Sequence, residues 1–373
     1  MIQRALQKQI ESRMFQGRVI VLYGTRRVGK TTLARAIAQN FPDTLWLNCD
    51  EPDVRESLSG RTSTELGRLV SGRKLVVIDE AQRVRDVGIT LKLLVENFPD
   101  VQVLATGSSS FDLANRVSEP LTGRKWEFFL HPLSLAEIRA DAGPVAAGRL
   151  VDDLLTYGSY PSVYADPKDR AAVLKELAGG YLFHDILAHE NLRRPELLDR
   201  ILKALALQVG SEVSYNEIAS LLATDKNTVT RYVELLEKTF VIFRLPSFAR
   251  NLRNELKRAQ KIYFWDLGIR NAVIGNFSAP DLRTDKGALW ENFCVAERKK
   301  ALQAADSGAQ SYFWRTQAQQ EIDYLEEESG ALRTFEFKYS DKPGRLPRTF
   351  STAYGDTRHS VVTRKAPFGL LTE

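Results

Sequence analysis

Gly24-Thr25-Arg26-Arg27-Val28-Gly29-Lys30-Thr31, continued by Thr32 and the helical pattern through Ala38, is the stretch on which the reading of this chain turns. It matches G-x-x-x-x-G-K-[ST] without a gap, and the apolar run RVIVLY (Arg18–Tyr23) stands immediately before it. Gly24 and Gly29 let the backbone curl so that its N–H groups face an anion. The helix that follows adds the positive end of its dipole. Lys30 is then placed to reach the β and γ phosphates of ATP, and the Thr31 hydroxyl to take a position on Mg²⁺. The whole cradle runs from Gly24 to Thr32. A chance Gly-rich turn is the competing reading, and the strand and helix on its two sides argue against it.

Outward from this loop, further apolar runs lie at Leu45–Asp50, Lys74–Glu80, Val101–Gly107 and Lys125–Leu130. Helical patterns separate them at Thr31–Asn40, Ser63–Val70 and Val87–Phe98, and a short amphipathic helix is expected within residues 1–16. Buried strands alternating with helices predict a parallel sheet covered on both faces, ending near Ile138. The run Val76-Val77-Ile78 ends in two carboxylates. Asp79 is the candidate for the Mg²⁺ shell, and Glu80 for orienting and activating the attacking water. A glutamate there points to hydrolysis rather than passive nucleotide binding. Thr106, at the end of the next strand, is expected between these strand tips, where it could sense the γ phosphate; an ordinary Gly/Ser turn is the alternative. Arg124, with Arg116 as its competitor, is a candidate arginine finger reaching a neighbour's nucleotide, and a surface arginine otherwise. That role implies a homo-oligomer, of which a ring is one form.

The chain has 373 residues, enough for two or three domains, and 43% hydrophobic content to build their cores. No run of 18 or more apolar residues occurs, which excludes a spanning helix and a membrane partner of that kind. The first residues lack an apolar stretch with a cleavage site. Cys49 and Cys294 stand far apart, so neither a disulfide framework nor a cysteine zinc site is expected. These features predict a cytoplasmic protein. The net charge is +5, and the surplus falls between Phe240 and Glu373, where Lys and Arg number 21 against 16 Asp and Glu. A basic C-terminal third permits contact with DNA without demanding it.

Residues 141–195 read as helices interrupted at Gly158-Ser159-Tyr160-Pro161. Beyond them, Tyr215–Leu222 and Asn227–Lys238 read as two amphipathic helices joined by a polar turn and followed by the strand VIFRL. This is helix-turn-helix spacing, within a winged helix over 196–250. Its candidate DNA-facing residues are Lys226, Asn227, Thr230 and Arg231. Glu234 and Glu237 dilute that face, so a packing role is the alternative. Arg250, Arg253, Lys257 and Lys261 recur at three- and four-residue steps. If helical, they form a track for phosphates; the bland reading is a solvated linker.

In the last part, Glu291 lies on a helical pattern, Asp323 in the strand EIDYLE, and Glu336 and Lys338 in RTFEFKY. Period-two alternation points Glu336 and Lys338 to one face. Two carboxylates, Asp323 and Glu336, can hold a divalent ion beside a scissile phosphate, and Lys338 can position water or stabilise charge. The alternatives are a salt-bridge cluster or DNA binding without cleavage. The four histidines, His131, His184, His189 and His359, show no ligand spacing.

Taken in order, GTRRVGKTTL, LVVIDEAQ, LATGSSS, LTGRKWEFFLHPLSLAE, YGSYPSVY, KIYFWDLGIRNA, WENF and FEFK span nearly the whole chain. This set resembles the prokaryotic AAA+-type P-loop ATPases that carry a C-terminal domain of unknown function similar to PD-(D/E)xK nucleases. Ser159 departs from that family's Gly-Gly-x-Pro turn. The resemblance implies an α/β chain: an AAA+-like ATPase sheet over 1–140, a helical lid over 141–195, the winged helix, and a restriction-endonuclease-like α/β domain over 251–373. It implies an ATP hydrolase with Mg²⁺ that acts on DNA, with a metal-dependent nuclease activity at Glu291, Asp323, Glu336 and Lys338 as a further expectation. The alternative is an ATP-dependent signalling or defence switch working through protein partners, with the nuclease-like domain inactive.

Overall fold

A computed structural model of the chain describes residues 2–107, 120–181, 194–248, 260–341, 343–355, 357–369 and 371. The expected Arg116, Arg250, Arg253, Lys257, His184 and His189 lie outside the described residues. The chain divides into two compact units, one of residues 3–131 with 238–240, the other of residues 132–237 with 241–373. The first unit therefore closes before Ile138.

The first unit is built from α1 (Leu6–Arg13), β1 (Val19–Tyr23), α2 (Lys30–Ala38), β2 (Thr44–Asn48), α3 (Pro52–Leu58), α4 (Ser63–Val70), β3 (Leu75–Asp79), α5 (Val87–Asn97), β4 (Gln102–Gly107) and β5 (Lys125–Phe129). The strands form one sheet in the order β2-β3-β4-β1-β5, and every pairing is parallel. All five residues of β1 are buried because both faces are covered. Val19, Val21 and Tyr23 join one apolar cluster with Val76, Ile78 and Leu91. Ile20 and Leu22 point the other way, to Leu33, Ile37, Val77 and Leu104. The period-two alternation of β1 thus serves two cores, each fully buried Val, Leu or Ile contributing ~1.5–3 kcal/mol. Helix α4 starts in a capping box, with Thr62 accepting from the Glu65 N–H and Glu65 accepting in return. Helix α3, opened by Pro52 in its first turn, is an element that periodicity did not mark.

The order β3-β4-β1 has a consequence for function. The C-terminal ends of β1, β3 and β4 carry Gly24, Glu80 and Gly107, so the phosphate loop and the two carboxylates gather at one edge, on either side of Thr106.

The second unit opens with helices Leu135–Ala142, Pro144–Arg149, Val151–Tyr157, Pro161–Ala165 and Arg170–Glu176. Gly158, at φ 69°, ends the third of these and Pro161 opens the fourth, as the Gly-Ser-Tyr-Pro turn predicts. Helix Pro195–Leu207 follows, then Tyr215–Leu221 and Lys226–Lys238. A three-stranded sheet comes next, in the order β6-β8-β7: β6 (Glu212–Val213), β7 (Ile242–Pro246), β8 (Gln260–Phe264). Its central strand lies beyond position 251, so this sheet draws on both sides of the 250/251 boundary. Lys261 is the second residue of β8 and 1% exposed, so it belongs to no basic helical stripe. A long helix, Lys286–Ala304, precedes a mixed four-stranded sheet in the order β12-β11-β10-β9, with β9 at Gln310–Arg315, β10 at Glu321–Glu328, β11 at Ala331–Lys338 and β12 at Arg358–Thr363. Strands β9, β10 and β11 are antiparallel neighbours, and β12 runs parallel to β11. The protein is an α/β chain with an N-terminal parallel sheet and a separate C-terminal mixed sheet. Among the described residues, no helix is long and apolar enough to cross a membrane.

Candidate functional site

The phosphate loop leaves β1 through three residues with positive φ: Gly24 at 155°, Arg27 at 60° and Gly29 at 102°. Such alternation turns successive N–H groups towards one centre. Gly24 has a second requirement, because a Cβ there would overlap the Leu130 carbonyl oxygen. Lys30 is the first residue of α2 and is buried. Its Nζ donates to the carbonyls of Gly24 at 2.9 Å and Thr25 at 3.0 Å, which holds the ammonium inside the curl of the loop.

Asp79 ends β3 with its carboxylate buried. Its Oδ1 accepts from Thr31 Oγ1 at 3.3 Å and from Thr106 Oγ1 at 2.5 Å. Thr106, with no exposure, also accepts the Glu80 N–H at 3.2 Å. Thr106 therefore lies between the tips of β1 and β3, and touches both carboxylate residues. Glu80 has a left-handed backbone, φ 54°. Arg26, Arg27, Gly29, Lys30, Thr31, Thr32 and Glu80 line one cavity of about 370 Å³ together with Asp50 and Arg83. Six residues of the predicted cradle, Arg26, Arg27, Gly29, Lys30, Thr31 and Thr32, thus border this space. The Thr31 hydroxyl and Asp79 carboxylate are hard oxygen donors 3.3 Å apart, the chemistry a magnesium ion takes, so the residues present fit the group.

Three further residues contribute that no motif singles out. Arg4 donates to the Val28 carbonyl at 3.0 Å and the His131 carbonyl at 2.6 Å, clamping the loop from outside. Gln82, on the short turn after β3, donates from Nε2 to Glu80 Oε2 at 2.6 Å. Arg83 pairs with Asp50 at 2.7 Å. Only Gln82 had a local clue, in its spacing from Glu80. Arg124, the candidate finger, pairs with Glu96 of its own chain at 2.9 Å, both half exposed.

On helix Lys226–Lys238, Lys226, Asn227 and Arg231 are exposed and Thr230 is partly so. Asp225 accepts from the Thr228 N–H at 2.9 Å and from its hydroxyl, and those bonds hold its carboxyl below the usual carboxylate range. Glu237 turns to Arg244, at 2.5 Å, away from an independent acidic face.

The C-terminal set meets differently. Tyr324 pairs with Phe335 across β10 and β11, and one step along lie Asp323 and Glu336. Asp323 accepts the Phe337 N–H at 2.7 Å, and burial with the nearby Glu291 carboxylate pushes its carboxyl up to about 7. Glu336 is held by Lys338 Nζ at 2.6 Å, with His359 Nε2 at 3.8 Å. Glu291 accepts from Lys261 Nζ at 2.8 Å and Tyr263 OH at 2.6 Å. Among the described residues, no group of three or more His, Cys, Asp and Glu side chains is arranged to hold a metal ion. Lys261, Tyr263 and Glu321 are members of this cluster that no motif spacing announced.

Residues 16–139 match the model of an AAA domain. Residues 148–279 and 286–368 match two domains of unknown function, DUF8612 and DUF4143. An uncharacterised protein of Mycobacterium tuberculosis is 31% identical over 346 residues, covering 91% of this chain and 74% of the relative. An uncharacterised protein of Methanocaldococcus jannaschii is 23% identical over 323 residues, covering 80% of this chain and 70% of the relative. Among solved structures, a Walker-type ATPase of Pyrococcus abyssi aligns with a TM-score of 0.47 at 18% identity, over 74% of this chain and 96% of that one.

Proposed function

We propose that this chain, an AAA-domain protein belonging to one family with its mycobacterial relatives, hydrolyses ATP and couples the cycle to DNA contact through the helix that begins at Lys226. The observation that carries the first half is the gathering of Lys30, Thr31 and Glu80 around one cavity, with Asp79 bonded to Thr31 and Thr106 bonded to Asp79 and Glu80 at the ends of β3 and β4.

Each side chain has a share in the reaction. The loop N–H groups and the start of α2 bind and orient the phosphates. Lys30 neutralises charge that grows on the β and γ oxygens. Thr31 and Asp79 would hold Mg²⁺, which would offset the charge of the phosphate groups. Thr106 keeps Asp79 and Glu80 in register, and Glu80 orients a water and takes its proton. With Arg124 engaged by Glu96, a finger role in trans requires that pair to open on assembly, which makes a homo-oligomer part of the proposal.

DNA is the proposed partner because Lys226, Asn227 and Arg231 stand exposed at the start of a helix that follows a tight turn. The C-terminal domain enters as a binding module rather than a cleaving one, since Glu291 and Glu336 already face lysine ammonium groups.

The test is nucleotide turnover and DNA anisotropy on one preparation. Lys30→Ala should lose ATP binding, and Glu80→Gln should bind ATP but turn over at least ~100-fold more slowly. Lys226→Ala with Arg231→Ala should weaken DNA binding and lower its salt slope by about 1–2. Unchanged hydrolysis in both loop variants removes the ATPase assignment. DNA affinity that ignores salt and both helix variants favours a switch working through protein partners.

A further inference from the structure

We propose that Lys261 stands as a built-in cation in the C-terminal carboxylate cluster, occupying the position where a divalent ion would otherwise bind. Its Nζ lies 2.8 Å from Glu291 Oε1 and forms a second, shorter ion pair with Glu321. One ammonium therefore bridges a carboxylate of the long helix and a carboxylate at the start of β10, two residues before Asp323. The lysine comes from a third element, β8, where it pairs with Leu245 of β7 and Glu212 of β6. The ring of Phe313 packs 5.4 Å from the ammonium.

Burial gives this arrangement its weight. Lys261 is 1% exposed, and an ammonium withdrawn from water persists only with close counter-charges. Two of these carboxylates have further neighbours: Tyr263 donates its hydroxyl to the same Glu291 Oε1, and Arg315 approaches Glu321 Oε2 at 3.8 Å. Glu336 has Lys338 on one side and the Gly344 backbone on the other, where a Cβ would overlap its Oε2. A divalent ion requires several oxygens at about 2.0–2.6 Å. It would have to displace, or bind beside, a buried +1 charge that already bridges Glu291 and Glu321, against direct repulsion. The residues present do not fit a resident ion; they fit a lysine that does the ion's electrostatic work. The cluster then ties the three-stranded sheet to the long helix and the mixed sheet. Lys261 keeps the charges balanced without metal, and no phosphodiester bond is cut.

The inference does not rest on the ATP reading, and the experiment separates the two. Full-length wild type, Lys261→Met, and Lys261→Met with Glu321→Gln are titrated with Mn²⁺ without nucleotide, by paramagnetic resonance. Plasmid cleavage and ATP turnover are followed on the same samples. Methionine keeps the length and removes the charge. The expected result is that Lys261→Met binds Mn²⁺ at least about tenfold tighter than wild type, that Glu321→Gln abolishes the gain, and that ATP turnover stays unchanged. Wild type should show no Mn²⁺ binding or cleavage that Glu291→Gln removes. The proposal is overturned if wild type binds Mn²⁺ or cuts DNA in a manner lost in Glu291→Gln. It is equally overturned if a folded Lys261→Met gains no affinity. Should Lys261→Met fail to fold, the wild-type and Glu291→Gln comparison still decides.

Discussion

Gln82 Nε2 donates to Glu80 Oε2 at 2.6 Å, so the side chain that would activate water is oriented by a neighbour only two positions away. The short turn Ala81–Arg83 makes the approach, because Glu80 enters it with a left-handed backbone and brings the two side chains to one side. A hydrogen bond to a charged group is worth ~1.5–3 kcal/mol. Gln82→Ala should therefore lower kcat by about tenfold or more while KM for ATP moves less than about twofold, since the phosphates are held elsewhere. Steady-state kinetics measure both. A rise in KM with kcat intact would mean that Gln82 serves binding instead.

Arg124 and Glu96 form an exposed pair at 2.9 Å, of the kind worth ~0–1 kcal/mol, which assembly can readily break. If Arg124 acts on a neighbour's nucleotide, Arg124→Ala should bind ATP normally but turn over slowly. Mixing it with Lys30→Ala should then restore part of the activity, because a mixed interface joins an intact loop to an intact arginine. A monomer by light scattering with full turnover would sink the role.

Gly158 has φ 69°, and a Cβ there would fall on the carboxylate of Asp266. That carboxylate is buried and accepts the Ser159 N–H at 2.7 Å and the Ile269 N–H at 3.0 Å, so it has little freedom to move aside. Backbone strain and overpacking add, and Gly158→Ala should cost ~2–4 kcal/mol. Urea denaturation reads this directly. A loss below about 0.5 kcal/mol would mean that the turn rearranges.

Asp285 receives Arg283 through two bonds of 2.8 Å and Arg270 through one of 2.8 Å. The Arg283 hydrogen bonds lead, aided by Arg270 and opposed by burial, in lowering its carboxyl to about 2. A depressed carboxyl stabilises the fold above its unfolded pKa, about 4, and that share is lost as pH falls towards 2. The stability gap between wild type and Asp285→Asn should thus contain a pH-dependent part of about 2 kcal/mol at pH 5–7, shrinking to roughly half by pH 3. Denaturant melts at both pH values test it. A gap that stays constant would show that Asp285 is not the titrating group.

Much of the first unit is legible in the amino-acid order alone. The three central strands β1, β3 and β4 are short, mostly apolar and closed by Gly or acidic residues, the pattern of strands buried on both faces. The G-x-x-x-x-G-K-T loop carries its conformation in its own glycines, so the contact of Lys30 with the loop carbonyls follows from local chain geometry. The two helices before β7 are legible for the same reason, because 3.6-residue periodicity is a local property.

Other features depend on elements distant in the chain. Arg4 meets Val28 only because α1 packs beside α2, and Thr106 meets Asp79 only because β4 pairs with β3. Lys261 illustrates the same limit: its spacing from Lys257 suggests a helical basic stripe, whereas strand pairing with β6 and β7 turns it inwards onto Glu291 and Glu321. Sequence by itself determined the parallel sheet, the phosphate cradle and the helix pair, since each rests on short-range periodicity or on glycine's backbone freedom. Only the tertiary structure decided which charges neutralise which, because buried ion pairs form between whichever elements packing brings within reach, and that choice is written in no single segment.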